Sequence, residues 1–151
     1  DHALWNQAQI AEGIALVRRV LTGGRVGAYA LQAAIVAEHA KTTTAADTNW
    51  AQIVVYYDLL LRLEATPVVE LNRAVAISLR DGPEAGLPLV DAILAGGELD
   101  DYRLAHASRA DMLRRLDRRD EARAAYHQAL ALSRQEPERR FLQARIDALT
   151  P

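Results

Sequence analysis

No cysteine occurs among the 151 residues. Disulfide frameworks, thiolate zinc sites and cysteine nucleophiles are thereby excluded together, and the absence fits a cytoplasmic protein. Aromatic residues are scarce: one Phe, two Trp and five Tyr. The chain is nevertheless 50% hydrophobic, so its core must come from Ala, Leu, Ile and Val. Such packing suits closely spaced helices better than sheets. Charge of one sign is missing as well. The 18 basic and 20 acidic residues leave a net charge of -2, too little for long-range attraction to nucleic acid or a membrane surface. Lysine occurs once, as Lys41, and the heavy use of arginine in its place reads as the codon bias of a GC-rich genome. No apolar run approaches the ~18 residues of a membrane span, and the opening residues do not read as a signal peptide. The chain starts at Asp1 without Met and is helix-like from the outset, as expected of a fragment of a longer protein.

Signatures of catalysis are lacking too. Gly23-Gly24 is not followed by Gly-Lys-Ser/Thr, and neither it nor Gly96-Gly97 follows a strand, so both pairs read as helix caps and not as phosphate loops. The four histidines, His2, His39, His106 and His127, have no His-x3-His spacing and no carboxylate at ligand spacing. Ser108 and Ser133 lack a nucleophile-elbow setting and an obvious base. Asp100-Asp101, Glu136 and Glu138 fall in expected connections, where they read as solvated surface. These absences predict a protein that is not an enzyme and uses no metal, cofactor or small-molecule substrate. Arginines cluster at 18–19, 114–119 and 139–140, but Asp111, Asp117, Asp120 and Glu121 are interleaved with the second cluster. That pattern points to i,i+4 pairing on a wet face, and the aromatics are too scattered to stack nucleic-acid bases.

What the chain does contain is helical periodicity. Apolar stripes predict helices near 3–21, 28–41, 48–64, 68–80, 84–95, 102–117, 120–134 and 138–149. Between them stand Gly23-Gly24, Thr42 to Asp47, Thr66-Pro67, Asp81-Gly82-Pro83, Gly96-Gly97, Asp117 to Arg119 and Pro137. The Gly pairs suit left-handed C-caps, the prolines suit first helical turns, and Asp47 or Thr48 suits an N-cap. Three stripes align: Ala28, Leu31, Gln32, Ile35, Val36, His39; then Val68, Leu71, Asn72, Val75, Ala76, Leu79; then Ala105, Ser108, Arg109, Met112, Leu113, Leu116. Following helices align as Trp50, Ile53, Val54, Tyr57; then Ala85, Pro88, Leu89, Ala92; then Ala122, Ala125, Tyr126, Ala129.

Repeats of about 34 residues or somewhat more mark helix–turn–helix solenoids. Ala122-x3-Tyr126-x2-Ala129-Leu130 followed by Pro137 matches the second half of the tetratricopeptide pattern, although 103–113 lacks the Trp and Gly of the first half. The expected fold is all-α: one helical-repeat domain over 1–151, a right-handed tetratricopeptide-like superhelix of about eight antiparallel helices. Three helix pairs form its body, and the first and last helices cap its open ends. The last helix is expected to cover its neighbour with Phe141, Leu142, Ile146 and Leu149.

Gln32, Asn72 and Arg109 occupy the same place in three successive repeats, each within an apolar stripe. Equivalent positions of a solenoid stack, so the three predict a polar ladder. It is either a buried hydrogen-bond network that fixes register or the lining of a groove that receives a partner peptide. His39, Arg73, Asp111, Arg139 and Arg140 are further surface candidates for protein contacts.

A further set of segments is distinctive: Ala8-Gln9-Ile10-Ala11-Glu12-Gly13, Leu31-Gln32-Ala33-Ala34-Ile35, Asp47-Thr48 with Trp50, Gly82-Pro83, Ala110-Asp111 with Leu113, and Glu138-Arg139-Arg140-Phe141-Leu142. The most specific of all is Pro67-Val68-Val69-Glu70-Leu71-Asn72-Arg73-Ala74-Val75-Ala76. On these residues, from about Asp1 to Leu149, the chain resembles the C-terminal tetratricopeptide-like extension of bacterial extracytoplasmic-function (ECF) sigma factors. The resemblance implies a non-catalytic regulator of transcription initiation. Its protein partners would be RNA polymerase core, the sigma regions of a parent chain or a regulator, and promoter DNA would be met only through N-terminal regions absent from these residues. A free-standing tetratricopeptide adaptor for an unrelated protein is the alternative.

Overall fold

Thr66 and Pro67 show how local chemistry starts a helix here. The Thr66 hydroxyl accepts the Val69 backbone N–H at 3.2 Å, and Pro67 occupies the first helical position, where a missing N–H costs nothing. The computed structural model describes residues 25–41 and 48–151, and every regular element among them is a helix. They are α1 (Arg25–Ala40), α2 (Trp50–Leu63), α3 (Pro67–Asp81), α4 (Pro83–Ala95), α5 (Arg103–Arg115), α6 (Arg119–Leu132) and α7 (Glu136–Leu149). The helix expected near 3–21, the Gly23-Gly24 cap and the whole 42–47 connection lie outside the described residues. The chain divides into two compact units, Asp1–Ala76 and Ile77–Pro151.

In the first unit α1 packs against α2. Ala28, Leu31, Ile35 and Glu38 form the buried stripe of α1, and Lys41 meets the buried Glu38 carboxylate at 3.2 Å. Ile53, Val54, Tyr56 and Leu60 are the apolar contribution of α2. Its N-cap is Asn49, whose side chain accepts the Gln52 N–H at 3.1 Å, in place of the Asp47 or Thr48 expected from sequence. Asn49 wins because a cap must sit immediately before the first helical residue to reach the orphan N–H of the first turn. On α3, Val69, Leu71, Ala74 and Ala76 are buried.

In the second unit α4 packs on α5, α5 on α6, and α6 on α7. Ala105, Ala110, Ala122, Ala125 and Ala129 are all fully buried, with Tyr126 nearly so. Small side chains let α5 and α6 approach closely, and Tyr126 fills the remaining space. The buried residues of α4 are Gly86, Leu87 and Val90, a register displaced from the aligned Ala85, Pro88, Leu89 and Ala92. Pro88 is exposed inside α4, and the sequence alignment assigned it to the core because it weighed apolarity alone. The turn between α5 and α6 is a Schellman motif: Arg118 N–H bonds the Leu113 carbonyl at 2.9 Å and Asp117 N–H the Arg114 carbonyl at 3.0 Å. It places Asp117 at φ 58°, a left-handed position usually given to glycine. Gly97 meets the same demand after α4, at φ 83°. Leu142, Ile146 and Leu149 of α7 are buried, but Phe141 is 57% exposed. The stripe runs i, i+4, i+7, and Phe141 stands one residue, about 100° of rotation, outside it.

Candidate protein-binding surfaces

Gln32 and Asn72 both face water. Each follows a buried leucine, Leu31 or Leu71, and the helical step from that leucine carries the amide past the edge of the apolar stripe. Neither belongs to a buried network, which corrects the buried form of the expected polar ladder. Gln32 lines an open cleft of about 470 Å³ with Ala28, Tyr29 and Glu64. Tyr29 and Val36 of α1 are 80% and 66% exposed, so this side of the helix offers apolar surface beside the Gln32 amide. His39 sits edge-on to Trp50, ring centroids 5.3 Å apart. Arg73 pairs through Nε with Asp58, joining α3 to α2.

Arg109 lies in the second unit and is held at the surface by Asp91. Its Nε donates to the Asp91 carboxylate at 2.7 Å, with side chains 26% and 47% exposed. Nearby, Arg118 donates to both carboxylate oxygens of Glu121, at 3.0 and 2.7 Å. This bidentate bond holds the Glu121 carboxyl below its ordinary range and raises the Arg118 guanidinium. Asp111 receives Arg114 at 2.6 Å and Arg115 at 3.1 Å. Arg114 also reaches the Tyr126 hydroxyl at 3.3 Å, and these hydrogen bonds, Asp111 first, raise its already high pKa. The expected interleaving of acids and arginines is therefore realised as ion pairs: nearly every cation of this cluster has a carboxylate beside it, and Arg119 reaches the Ala148 carbonyl.

Arg139 takes a structural position. Its Nη1 donates to the carbonyls of Leu130 and Ser133, at 3.0 and 2.9 Å, and so closes the C-terminal end of α6. Arg140 is wide open to water, 3.7 Å from Glu136. Sequence reasoning missed a groove of about 410 Å³ between α5 and α7, lined by Arg103, Leu104, Ala107, Pro137, Glu138, Phe141 and Leu142. The available signal was the offset of Phe141 from the i, i+4, i+7 stripe of its helix.

Among the described residues no group of His, Cys, Asp and Glu is arranged to hold a metal ion, and no helix is long and apolar enough to cross a membrane. His106 donates from Nε2 to the Asp100 carbonyl at 2.7 Å, a bond that pins the 97–102 connection onto α5.

No family model matches the chain. It is similar to an uncharacterized protein of Rhizobium meliloti (strain 1021), 39% identical over 149 residues. The alignment covers 99% of this chain and 35% of that protein, so the chain spans about a third of the length of the relative it matches.

Proposed function

We propose that residues 1–151 form a protein-binding regulatory domain of an ECF-type sigma factor, with its helices stacked as a right-handed tetratricopeptide-like superhelix. One observation carries the binding reading. At the same place in three successive repeats stands a polar side chain, and Gln32, Asn72 and the Asp91-held Arg109 all reach solvent. A residue that a core network must pair is unavailable to a partner, whereas a polar residue at the wet edge of an apolar stripe can give both area and directionality to one. The sigma-factor assignment is supported by the Pro67 to Ala76 segment. In this reading the partner is RNA polymerase core, the sigma regions of the parent chain, or a regulator.

The test immobilises the 151-residue chain and presents purified polymerase core and, separately, the sigma regions of the parent protein. Retention of either, weakened by Asn72→Ala or Arg109→Ala without a change in the thermal melt, is the expected result. Retention of neither overturns the sigma-factor reading. Specific capture of an unrelated protein instead would establish a free-standing adaptor.

A further inference from the structure

We infer that the groove between α5 and α7 is a docking site for an acidic amphipathic helix, which seats an apolar side chain between Leu104 and Phe141 and a carboxylate on Arg145. The inference deepens the protein-binding reading and rests on it. Leu142, 2% exposed, lies among the groove's lining residues, and Leu104 and Phe141 stand 44% and 57% exposed. A large aromatic held that far into water costs solvation unless something covers it, and paired helices with apolar walls are a common seat for a third helix.

The charges around the groove decide what kind of helix it is. Arg103 and Glu138 lie at opposite walls and pair with each other at 3.2 Å, so they cancel. Glu136 faces Arg140 at 3.7 Å, and Asp147 accepts the Gln143 amide at 2.9 Å. Arg145 is left over. It lies one turn beyond Phe141, its Cζ 5.2 Å from the ring centroid, and its Nε is buried without a hydrogen-bond partner. No carboxylate of the described residues pairs with it. A guanidinium stays charged at any physiological pH and presents a planar fork suited to a carboxylate. A stacked, half-buried guanidinium beside an apolar seat therefore complements one apolar anchor with one acid. Phe141 and Arg145 are four residues apart, about 6 Å along the helix axis. A partner helix with its anchor and its Asp or Glu at i and i+3 or i+4 matches that separation.

The experiment selects a displayed random library of 16-residue peptides on the 151-residue chain. Enriched peptides are then measured by fluorescence anisotropy against the chain and its variants. The expected consensus is an apolar residue with Asp or Glu three or four positions away. Phe141→Ala and Arg145→Gln should each weaken binding about tenfold or more, the scale of a lost anchor or a lost charge-assisted bond. Changing the peptide acid to its amide should cause a similar loss, with no further loss on Arg145→Gln. Leu104→Ser gives a second groove variant should Phe141→Ala melt early. No enrichment, a basic consensus, or binding indifferent to these variants overturns the inference, as does self-association of the chain through Phe141. Failure here alongside retained polymerase or sigma-region binding leaves the broader reading standing. The converse outcome would sink the sigma-factor reading and keep the groove.

Discussion

The Arg109 guanidinium and Asp91 carboxylate meet at 2.7 Å, yet both side chains keep contact with water. In such surroundings an ion pair contributes about 0–1 kcal/mol, so Arg109→Ala should lower unfolding stability by no more than that in a urea melt. A loss of about 3–5 kcal/mol would signal a buried pair and contradict the exposure. Gln52 presents the opposite case. It is fully buried, and neither its amide nitrogen nor its amide oxygen has a hydrogen-bond partner. Burying an unpaired amide costs about 1–3 kcal/mol. Gln52→Leu keeps most of the volume and removes the penalty, so the substitution should raise the denaturation midpoint. A fall of 1 kcal/mol or more on the same melt, about what a lost hydrogen bond costs, would mean that the amide is satisfied. The sequence says only part of this: Gln32, Asn72 and Arg109 stand out as polar positions within apolar stripes, which leaves both a buried network and a groove lining open, and nothing in the pattern singles out Gln52 or Glu38 as buried. A residue-type pattern locates a stripe but does not say on which side of its edge a given position falls.

At the scale of helices the sequence is a better guide, because stripes extend over many residues and breakers act locally. The seven described helices correspond to seven of the eight expected ones, with ends displaced by a few residues at most. The exceptions have identifiable causes: the cap Asn49, the displaced register of α4, and Phe141 outside its stripe. The Schellman turn after α5 yields a direct test. Asp117 stands at φ 58°, and a left-handed conformation costs a side-chain-bearing residue roughly 1–2 kcal/mol. Glycine escapes that strain but loses about 0.5–1 kcal/mol of chain entropy on folding. Asp117→Gly should therefore stabilise the protein by about 0.5–1 kcal/mol, read as a higher melting temperature, and an unchanged or lower one would contradict the strain. The last helix provides another. Leu142, Ile146 and Leu149 are buried, and α7 packs on α6. Truncation before Glu138 should strip that apolar cover and give aggregation or a lowered melting temperature. A truncated chain that stays monomeric with the parent melt would show that α7 is no cap.

For the molecule as a whole, charge and resemblance together frame the functional account. The net charge is -2, and most arginines of the 114–123 cluster face carboxylates. Little counterion release is available from such a surface, which is the physical ground for proposing that this chain meets proteins and not DNA. What composition and periodicity could not supply is the identity of the partner, because a fold does not dictate what its surface binds. The most direct measurement is single-round run-off transcription with polymerase core and the parent protein, intact or lacking residues 1–151. The account predicts promoter-dependent transcripts whose yield changes several-fold on removal of these residues and is restored toward the intact level by the chain supplied in trans. A parent protein that supports no promoter-dependent initiation, or one whose yield is the same with and without residues 1–151, would contradict it.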